Sequence, residues 1–307
     1  MKYTDLADAD CAIAQALNVV GDWWTLLVVR DVVGGIHRFD ELQRELGISR
    51  KVLTERLATL VEHDVLERRP YSERPPRHEY HLTRKGLGLL PVLVALQDWG
   101  TRHVMGDGSL TATSAASSVE ARRVHELLGQ RVEVDALTGQ NGSDLDPVGQ
   151  TSWTVLYCFP GAEAPGSRFY PPGWGDIPGA AGCTLESLTF RDRHAEFAAA
   201  GVTVRGVSTQ RPDQLAAFAE HARLPFALLS DTDLVLAASL RLPTFRAAGV
   251  DRLKRLTLVV DNERSIRSVL FPVTDPAASV DEALALIKDA SSLPPSRTSP
   301  VGVATTD

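Results

Sequence analysis

The cysteines carry the most reactive side chains of this sequence, and one of them stands where a protein can activate it. Cys183 follows Gly182 and begins an amphipathic stretch, CTLESLTFRD, which predicts a helix. In the first turn of a helix the backbone N–H groups have no partners within the helix, so they can stabilise a thiolate. Cys183 is therefore the first candidate for nucleophilic chemistry.

The other two cysteines have less distinctive surroundings. Cys11 opens the first predicted helix, where the positive end of the helix dipole favours a thiolate; a reactive thiol and a small buried apolar residue are both open interpretations. Cys158 lies within the run SWTVLYCF, where a buried strand residue is the favoured interpretation. Because the three positions are far apart, they form neither a disulfide framework nor a zinc site. We predict a reducing compartment, the cytoplasm, and no metal or cofactor.

A second informative set of residues lies between Phe39 and Thr83. The pattern predicts a helix from Phe39, a short turn at Gly47, and a second helix with Ser49 as its N-cap. In this second helix Leu53, Leu57 and Leu60 share the buried face. Two extended segments around a loop with Pro75 and Pro76 then predict a β-wing, which carries Arg68, Arg69, Arg74 and Arg77.

These basic residues are concentrated in a chain whose formal net charge is -7. A nucleic-acid contact must therefore come from a local cluster and not from the overall field. Arginine clusters on loops are more often simply solvated, but their combination with a helix-turn-helix pattern favours contact with DNA. The side chains predicted to reach base edges or phosphates are those of Ser49, Arg50, Lys51, Thr54, Arg69, Arg74 and Arg77.

Length and composition indicate two domains. The chain has 307 residues, of which 44% are hydrophobic and 23% charged, and no apolar stretch is long enough to cross a membrane. Residues 1–105 have helical periodicity, residues 106–118 resemble a flexible linker, and residues 290–307 predict a disordered tail. Residues 119–289 alternate helices with the runs VEV, SWTVLYCF, GVTVRGV and RLTLVV, which predicts an α/β domain with a partly parallel sheet.

The first domain resembles the HxlR-type branch of the MarR-like winged helix-turn-helix regulators. The resemblance rests on CAIAQALNVVGDWWTLLVVRDV, RFDELQRELGISRKVLTERLATL, PPRHEYHLTRKG and LLPVLVALQDWG, in this order. It implies a mainly α winged helix-turn-helix fold that binds double-stranded operator DNA as a homodimer, with residues 87–103 and the N-terminal helix in the dimer contact. It also matches Cys11 to a position that often senses oxidants.

The second domain resembles peroxiredoxins of the alkyl hydroperoxide reductase and thiol-specific antioxidant superfamily, closest to the bacterioferritin-comigratory type. The resemblance rests on TVLYCFP, GCTLESLTFRD, GVSTQ, PFALLSD and KRLTLVVDNERSIRSVLFPV. It implies a thioredoxin-like fold, a hydroperoxide substrate and an external thiol reductant. It makes Cys183 the peroxidatic cysteine and Arg255 the arginine that holds the thiolate and the peroxide.

The sequence departs from this family in three places. Ala180 replaces the Thr or Ser that bonds the peroxide, so that Thr184 or a loop residue must supply this contact. Leu188 replaces the usual resolving cysteine, which excludes the short-range disulfide. An inserted loop, residues 161–182, contains Trp174 and is expected to cap the site.

Three hypotheses for function follow. The preferred one is a redox-responsive transcriptional regulator in which Cys183 reacts with hydroperoxide, with a disulfide to Cys11 as one means of coupling. The second is a thiol-dependent peroxidase with an independent, autoregulatory DNA-binding domain. The third is a repressor with a catalytically degenerate peroxiredoxin-like module, which Ala180 and Leu188 favour.

Overall fold

The computed structural model describes residues 10–167 and 169–292. The helices in this part of the chain are Ala12–Val20 (α1), Trp23–Val33 (α2), Phe39–Leu46 (α3), Arg50–Glu62 (α4), Arg84–Leu87 (α5), Leu90–Trp99 (α6), Val119–His125 (α7), Cys183–Asp192 (α8), His194–Ala199 (α9), Pro212–Ala222 (α10), Val235–Ser239 (α11) and Ala278–Ser292 (α12). The strands are Leu66–Glu73 (β1), Pro76–Leu82 (β2), Leu137–Gly139 (β3), Asp144–Leu145 (β4), Trp153–Cys158 (β5), Val202–Ser208 (β6), Ala227–Ser230 (β7), Thr244–Ala247 (β8), Val250–Leu253 (β9), Leu256–Asp261 (β10) and Ile266–Leu270 (β11). A π-helical turn, Gly100–Val104, continues α6.

The N-terminal domain is a winged helix-turn-helix. Gly47 ends α3 in the left-handed conformation, with φ 62°, and the Ser49 side chain accepts the backbone N–H of Val52 at the start of α4. The predicted leucine face of α4 is confirmed, because Leu53, Leu57 and Leu60 are buried. They pack with Val28, Val29, Val32 and Leu42 in the core of this domain. Strands β1 and β2 form the predicted wing as an antiparallel hairpin.

The C-terminal domain has the predicted thioredoxin-like α/β architecture. Its seven-stranded sheet has the order β11-β10-β5-β6-β7-β3-β4, in which β5, β6 and β7 are parallel and the other neighbours antiparallel. One hydrophobic cluster contains Leu156, Cys158 and Leu258, and the other contains Val155, Tyr157 and Phe190. Because consecutive strand residues point to opposite faces, the two clusters occupy opposite faces of the sheet.

The run VEV, residues 132–134, is not a strand, which corrects one sequence prediction. Val132 and Val134 are buried, but Arg264 donates hydrogen bonds from its side chain to the carbonyl oxygens of both, at 2.7 and 2.5 Å. Backbone pairing is limited here to the N–H of Val132, which donates to the carbonyl of Arg264 at 2.9 Å, and to an isolated bridge between Arg131 and Ser265, so no strand forms. The β-branched residues Val132 and Val134 therefore indicate a buried segment here and not a paired strand.

The two domains pack against each other. Helix α11 contacts both α2 and α6, and α6 also contacts β8. Leu90 and Val94 of α6 belong to the same buried cluster as Leu256 of the C-terminal sheet. The recognition helix α4 rests on α2, so the DNA-binding domain is connected by direct packing to the C-terminal domain.

The segment predicted as a flexible linker, residues 106–118, also packs against the C-terminal domain. It contains no helix or strand, but Ala112 is fully buried and its backbone N–H donates to the carbonyl of Pro178 at 2.8 Å. Small residues fit here because the segment lies close to the inserted loop, where a Cβ on Gly179 would come within 2.7 Å of Thr113. The small residues of this segment thus allow close packing and do not mark a free linker.

The sequence predicts a disordered tail from residue 290, but α12 continues to Ser292. The rest of the predicted tail, residues 293–307, lies outside the described residues. Within the described residues no single helix is long and apolar enough to cross a membrane. Only α1 and α2 taken together, with a bend of 72° between them, reach that length and composition.

Candidate thiol site and nucleic-acid interface

Cys183 is the first residue of α8, as the sequence predicts, and is 2% exposed. The preceding Gly182 has φ 106°, a conformation that residues with a Cβ rarely adopt. A Cβ at this position would lie 2.7 Å from Pro276 and 3.6 Å from Nη2 of Arg255. The glycine therefore allows the helix to begin directly against the arginine.

Arg255 reaches the sulfur from the loop immediately before β10. Its Nη2 donates to Sγ of Cys183 at 3.3 Å and to the carbonyl of Ala181 at 3.0 Å. Its Nη1 donates to the carboxylate of Glu186, one turn after the cysteine on α8. Since Glu186 and Arg255 are both buried, the guanidinium is held in one orientation between the carboxylate and the sulfur.

Burial and charge act on the thiol in opposite directions. Burial raises the pKa of Cys183 above its ordinary value; Arg255 and a backbone hydrogen bond from Gly161 lower it, and Glu186 raises it further. Burial also raises the pKa of Glu186, to about 7, against the effect of Arg255. In this enclosed state the thiol form of Cys183 is therefore favoured more than its position at a helix start alone would indicate.

The described residues of the inserted loop, 161–167 and 169–182, form a roof over this part of the domain. Within the roof, Tyr170 stacks on Trp174 with ring centroids 5.0 Å apart, and Trp174 is 8% exposed. The guanidinium of Arg252 lies over the rings of Phe169 and Trp174, at 4.2 and 4.8 Å. These aromatic contacts fasten the roof to β9.

The predicted third catalytic residue, Thr184, is exposed on α8. Burial raises the pKa of Tyr170 of the inserted loop, and the charge of Cys183 adds to this rise; the phenol donates to the carbonyl of Gly161 at 3.2 Å. Ala180 contributes only its carbonyl oxygen, 3.6 Å from the Sγ of Cys183. Leu188 packs against the apolar cluster that contains Cys183.

Three residues of this site escaped the sequence analysis: Glu186, Tyr170 and Arg252. The spacing of Glu186, three residues after Cys183, was a usable signal, because residues three apart share a helix face. Arg252 and Tyr170 gave no comparable signal, since their contacts depend on how the roof folds back over β9. Arg252 is 2% exposed and has no carboxylate partner among the described residues.

The other cysteines are placed differently. Cys11 is the N-cap of α1 and is exposed in the single chain. Cys158 is completely buried in β5, as favoured from the sequence, and burial raises the pKa of its thiol. All three cysteines are free thiols.

The predicted DNA-contacting side chains are all exposed around α4 and the wing. The exposed residues of α4 and its cap are Ser49, Arg50, Lys51 and Thr54, and those of the wing are Arg69, Arg74 and Arg77. Arg50 and Arg77 line the same groove, about 510 Å³ in volume, between α3 and the wing. Arg50 lies 3.7 Å from Asp40, and Arg69 is paired with Glu67. Arg74 and Arg77 have no carboxylate partner among the described residues.

Comparison with known proteins agrees with this division into two domains. The model of the HxlR-like helix-turn-helix family matches residues 19–107, and the model of the AhpC/TSA family matches residues 177–269. An uncharacterized HTH-type transcriptional regulator of Mycobacterium tuberculosis is 44% identical over 93 residues, which is 30% of this chain and 59% of the relative. This chain thus spans little more than half the length of that relative.

A putative regulatory protein of Fusobacterium mortiferum, MalR, is 36% identical over 95 residues, which is 30% of this chain and 90% of the relative. Among solved structures, peroxidoxin BcpB from Mycobacterium tuberculosis is 28% identical with a TM-score of 0.44, over 53% of this chain and 96% of that one. Through its N-terminal domain the chain belongs to the HxlR-like helix-turn-helix regulators, and it carries in addition a peroxiredoxin-like C-terminal domain of the AhpC/TSA type.

Proposed function

We propose that this protein is a redox-responsive transcriptional regulator that binds operator DNA as a homodimer in the cytoplasm and reacts with hydroperoxide through Cys183. The single observation that carries the proposal is the contact between Nη2 of Arg255 and the Sγ of Cys183, at 3.3 Å, in a chain that also has a winged helix-turn-helix. A guanidinium at this distance stabilises the thiolate, which is the nucleophilic form of a cysteine.

In the proposed reaction the thiolate of Cys183 attacks the terminal oxygen of the hydroperoxide. A bond between sulfur and oxygen forms as the O–O bond breaks, and the alkoxide leaves and takes up a proton to become an alcohol. Cys183 is thereby oxidised to a sulfenic acid. An external thiol attacks that sulfur and releases water, and a second thiol displaces Cys183 from the mixed disulfide. Because Sγ is nearly enclosed, the roof must open for the peroxide to enter.

The packing between the domains supports a coupling of this reaction to DNA binding. The roof is bonded to the connecting segment through Pro178 and Ala112, and that segment leads back to α6. Helix α11 touches α2, on which the recognition helix rests. A change in the packing of the roof therefore has a continuous path to the DNA-binding surface, and a free-energy difference of about 1–3 kcal/mol between two states suffices for regulation.

Exposed apolar side chains support the homodimer. Ile13 and Leu17 of α1 are 72% and 50% exposed, and Leu96 and Trp99 of α6 are 51% and 56% exposed. A dimer would bury this surface through the N-terminal helix and α6, the two elements that the resemblance to HxlR-type regulators implies for the contact.

The experiment is a titration of a labelled duplex from the protein's own upstream region, followed by fluorescence anisotropy, with and without hydrogen peroxide. We expect peroxide to change the affinity of the wild type and of Cys158→Ser, but not that of Cys183→Ser. Cys158→Ser is the matched control, since it removes a buried thiol that has no bond to Arg255. An equal peroxide response in Cys183→Ser contradicts the proposal.

A second candidate function is a thiol peroxidase whose DNA-binding domain acts independently. The same contact between Arg255 and Cys183 favours it, because it would serve catalysis as well as sensing. Peroxide consumption in the presence of an added thiol separates the two. Many turnovers per protein with unchanged DNA affinity support the peroxidase, and about one turnover with changed affinity supports the regulator.

A further inference from the structure

A cavity of about 300 Å³ lies between the two domains, away from Cys183. Leu27 of α2 and Leu93 of α6 contribute apolar wall from the DNA-binding domain, and Ala238 of α11 contributes it from the other side. The charged residues of the lining are three arginines: Arg30, Arg123 and Arg241. Cavities of this size and composition are typical of sites for small ligands with an apolar body and a polar end.

Arg123 is the most informative of these residues. Its Nη1 donates to the backbone carbonyl of Arg241, whereas its Nη2 is buried and has no hydrogen-bond partner among the described residues. No carboxylate of the described residues lies within ion-pair distance of it, and Glu120 is instead paired with Lys254. Burial lowers the pKa of Arg123, because the charged guanidinium is less stable there than in water. A partly buried cation without a neighbouring anion is costly, so a negative charge in the cavity would stabilise the protein.

The two neighbouring arginines differ in charge balance. Arg30 is paired with Asp31, with Nε 2.6 Å from the carboxylate, so its charge is compensated. Arg241, like Arg123, has no carboxylate partner in the described part of the chain. Two uncompensated guanidinium groups thus line a cavity whose remaining walls are largely apolar, and an anionic group with an apolar body complements both features.

We infer that this cavity binds an organic monocarboxylate, with its alkyl or aryl body between α2 and α6 and its carboxylate on Arg123 and Arg241. Both domains contribute walls, so an occupant stabilises their docked arrangement. If the proposed regulatory function holds, the ligand is a second effector of DNA binding besides peroxide. The binding itself needs neither DNA nor peroxide, so its failure leaves the proposed function untouched.

The test is calorimetric titration of the full chain with octanoate and, separately, with octan-1-ol. We expect octanoate to bind with one site per chain and octan-1-ol to bind at least about tenfold more weakly, the effect of one lost charge-assisted hydrogen bond. Arg123→Gln and Arg241→Gln should each weaken octanoate by about tenfold or more. The matched control is Arg122→Gln, because Arg122 is exposed beside Arg123 and bonds only to the carbonyl of Ser117.

Three outcomes overturn the inference. Octanoate fails to bind the wild type, or it binds Arg123→Gln and Arg241→Gln as tightly as Arg122→Gln. The third is that octanoate binds only while a dimer dissociates, as followed by light scattering. The cavity would then be filled by a second copy of the chain in the dimer. Should Arg123→Gln fail to fold, Leu27→Trp serves instead: it fills the cavity and is expected to abolish binding while the helical circular dichroism is retained.

Discussion

Arg255 donates a hydrogen bond from Nη2 to the Sγ of Cys183 across 3.3 Å, while its Nη1 is held by the carboxylate of Glu186. The carboxylate fixes the position of the guanidinium but also opposes the thiolate electrostatically, since Glu186 raises the pKa of Cys183. The arginine is therefore shared between a structural partner and a reactive one.

Arg255→Gln should slow the reaction of Cys183 with hydroperoxide by about tenfold or more, because each unit of rise in the thiol pKa removes about nine tenths of the thiolate. Stopped-flow kinetics with a sulfenic-acid trap measures this rate. Arg246→Gln is the control, since Arg246 is a surface arginine paired with Asp251. Equal rates in Arg255→Gln and the control would remove Arg255 from the proposed mechanism.

The reaction of Cys183 should be faster at higher pH. Its pKa is raised by burial, so below that pKa the thiolate fraction grows about tenfold for each unit of pH. Iodoacetamide labelling of Cys183, quantified by peptide mass spectrometry between about pH 7 and 9, should therefore rise without reaching a plateau. Glu186→Gln should increase the labelling at a given pH, because it removes a charge that opposes the thiolate. A plateau already present at neutral pH would contradict the assigned direction.

Arg77→Gln should weaken DNA binding and reduce the slope of log K against log salt concentration by about 0.9 if it removes one phosphate contact. Arg69→Gln should have a smaller effect, since Arg69 is already neutralised by Glu67. Arg193→Gln, on the C-terminal domain and paired with Glu196 and Asp281, is the control. Anisotropy titrations at several salt concentrations measure all three; an unchanged slope for Arg77→Gln would exclude its phosphate contact.

Leu57→Ala should destabilise the DNA-binding domain by about 2–5 kcal/mol, the usual cost of truncating a fully buried leucine. Leu57 is 2% exposed in the core shared by α2 and α4. Leu128→Ala, at a position 60% exposed, is the control and should change the stability little. Urea unfolding followed by circular dichroism measures both, and similar losses in the two variants would place Leu57 outside the core.

The elements that repeat a local pattern could be predicted from the sequence. The leucine spacing of α4, the Ser49 cap and the cysteine at the start of α8 each depend on residues within a few positions of one another. Contacts made across the fold could not be predicted in this way. Val132 and Val134 are β-branched but are held by Arg264, more than a hundred positions away, and Arg252 meets Trp174 only because the roof folds over it.

The bond between Ala112 and Pro178 has a consequence for how this chain can be divided. A fragment that starts at Ser118 would keep the whole of the sheet and yet lose the backbone that covers Ala180 and Trp174. A fragment that stops before residue 106 would carry none of that backbone either. The stretch between the two domains thus supports the roof beside the thiol site, and the two halves are expected to behave differently when separated than they do in the intact protein.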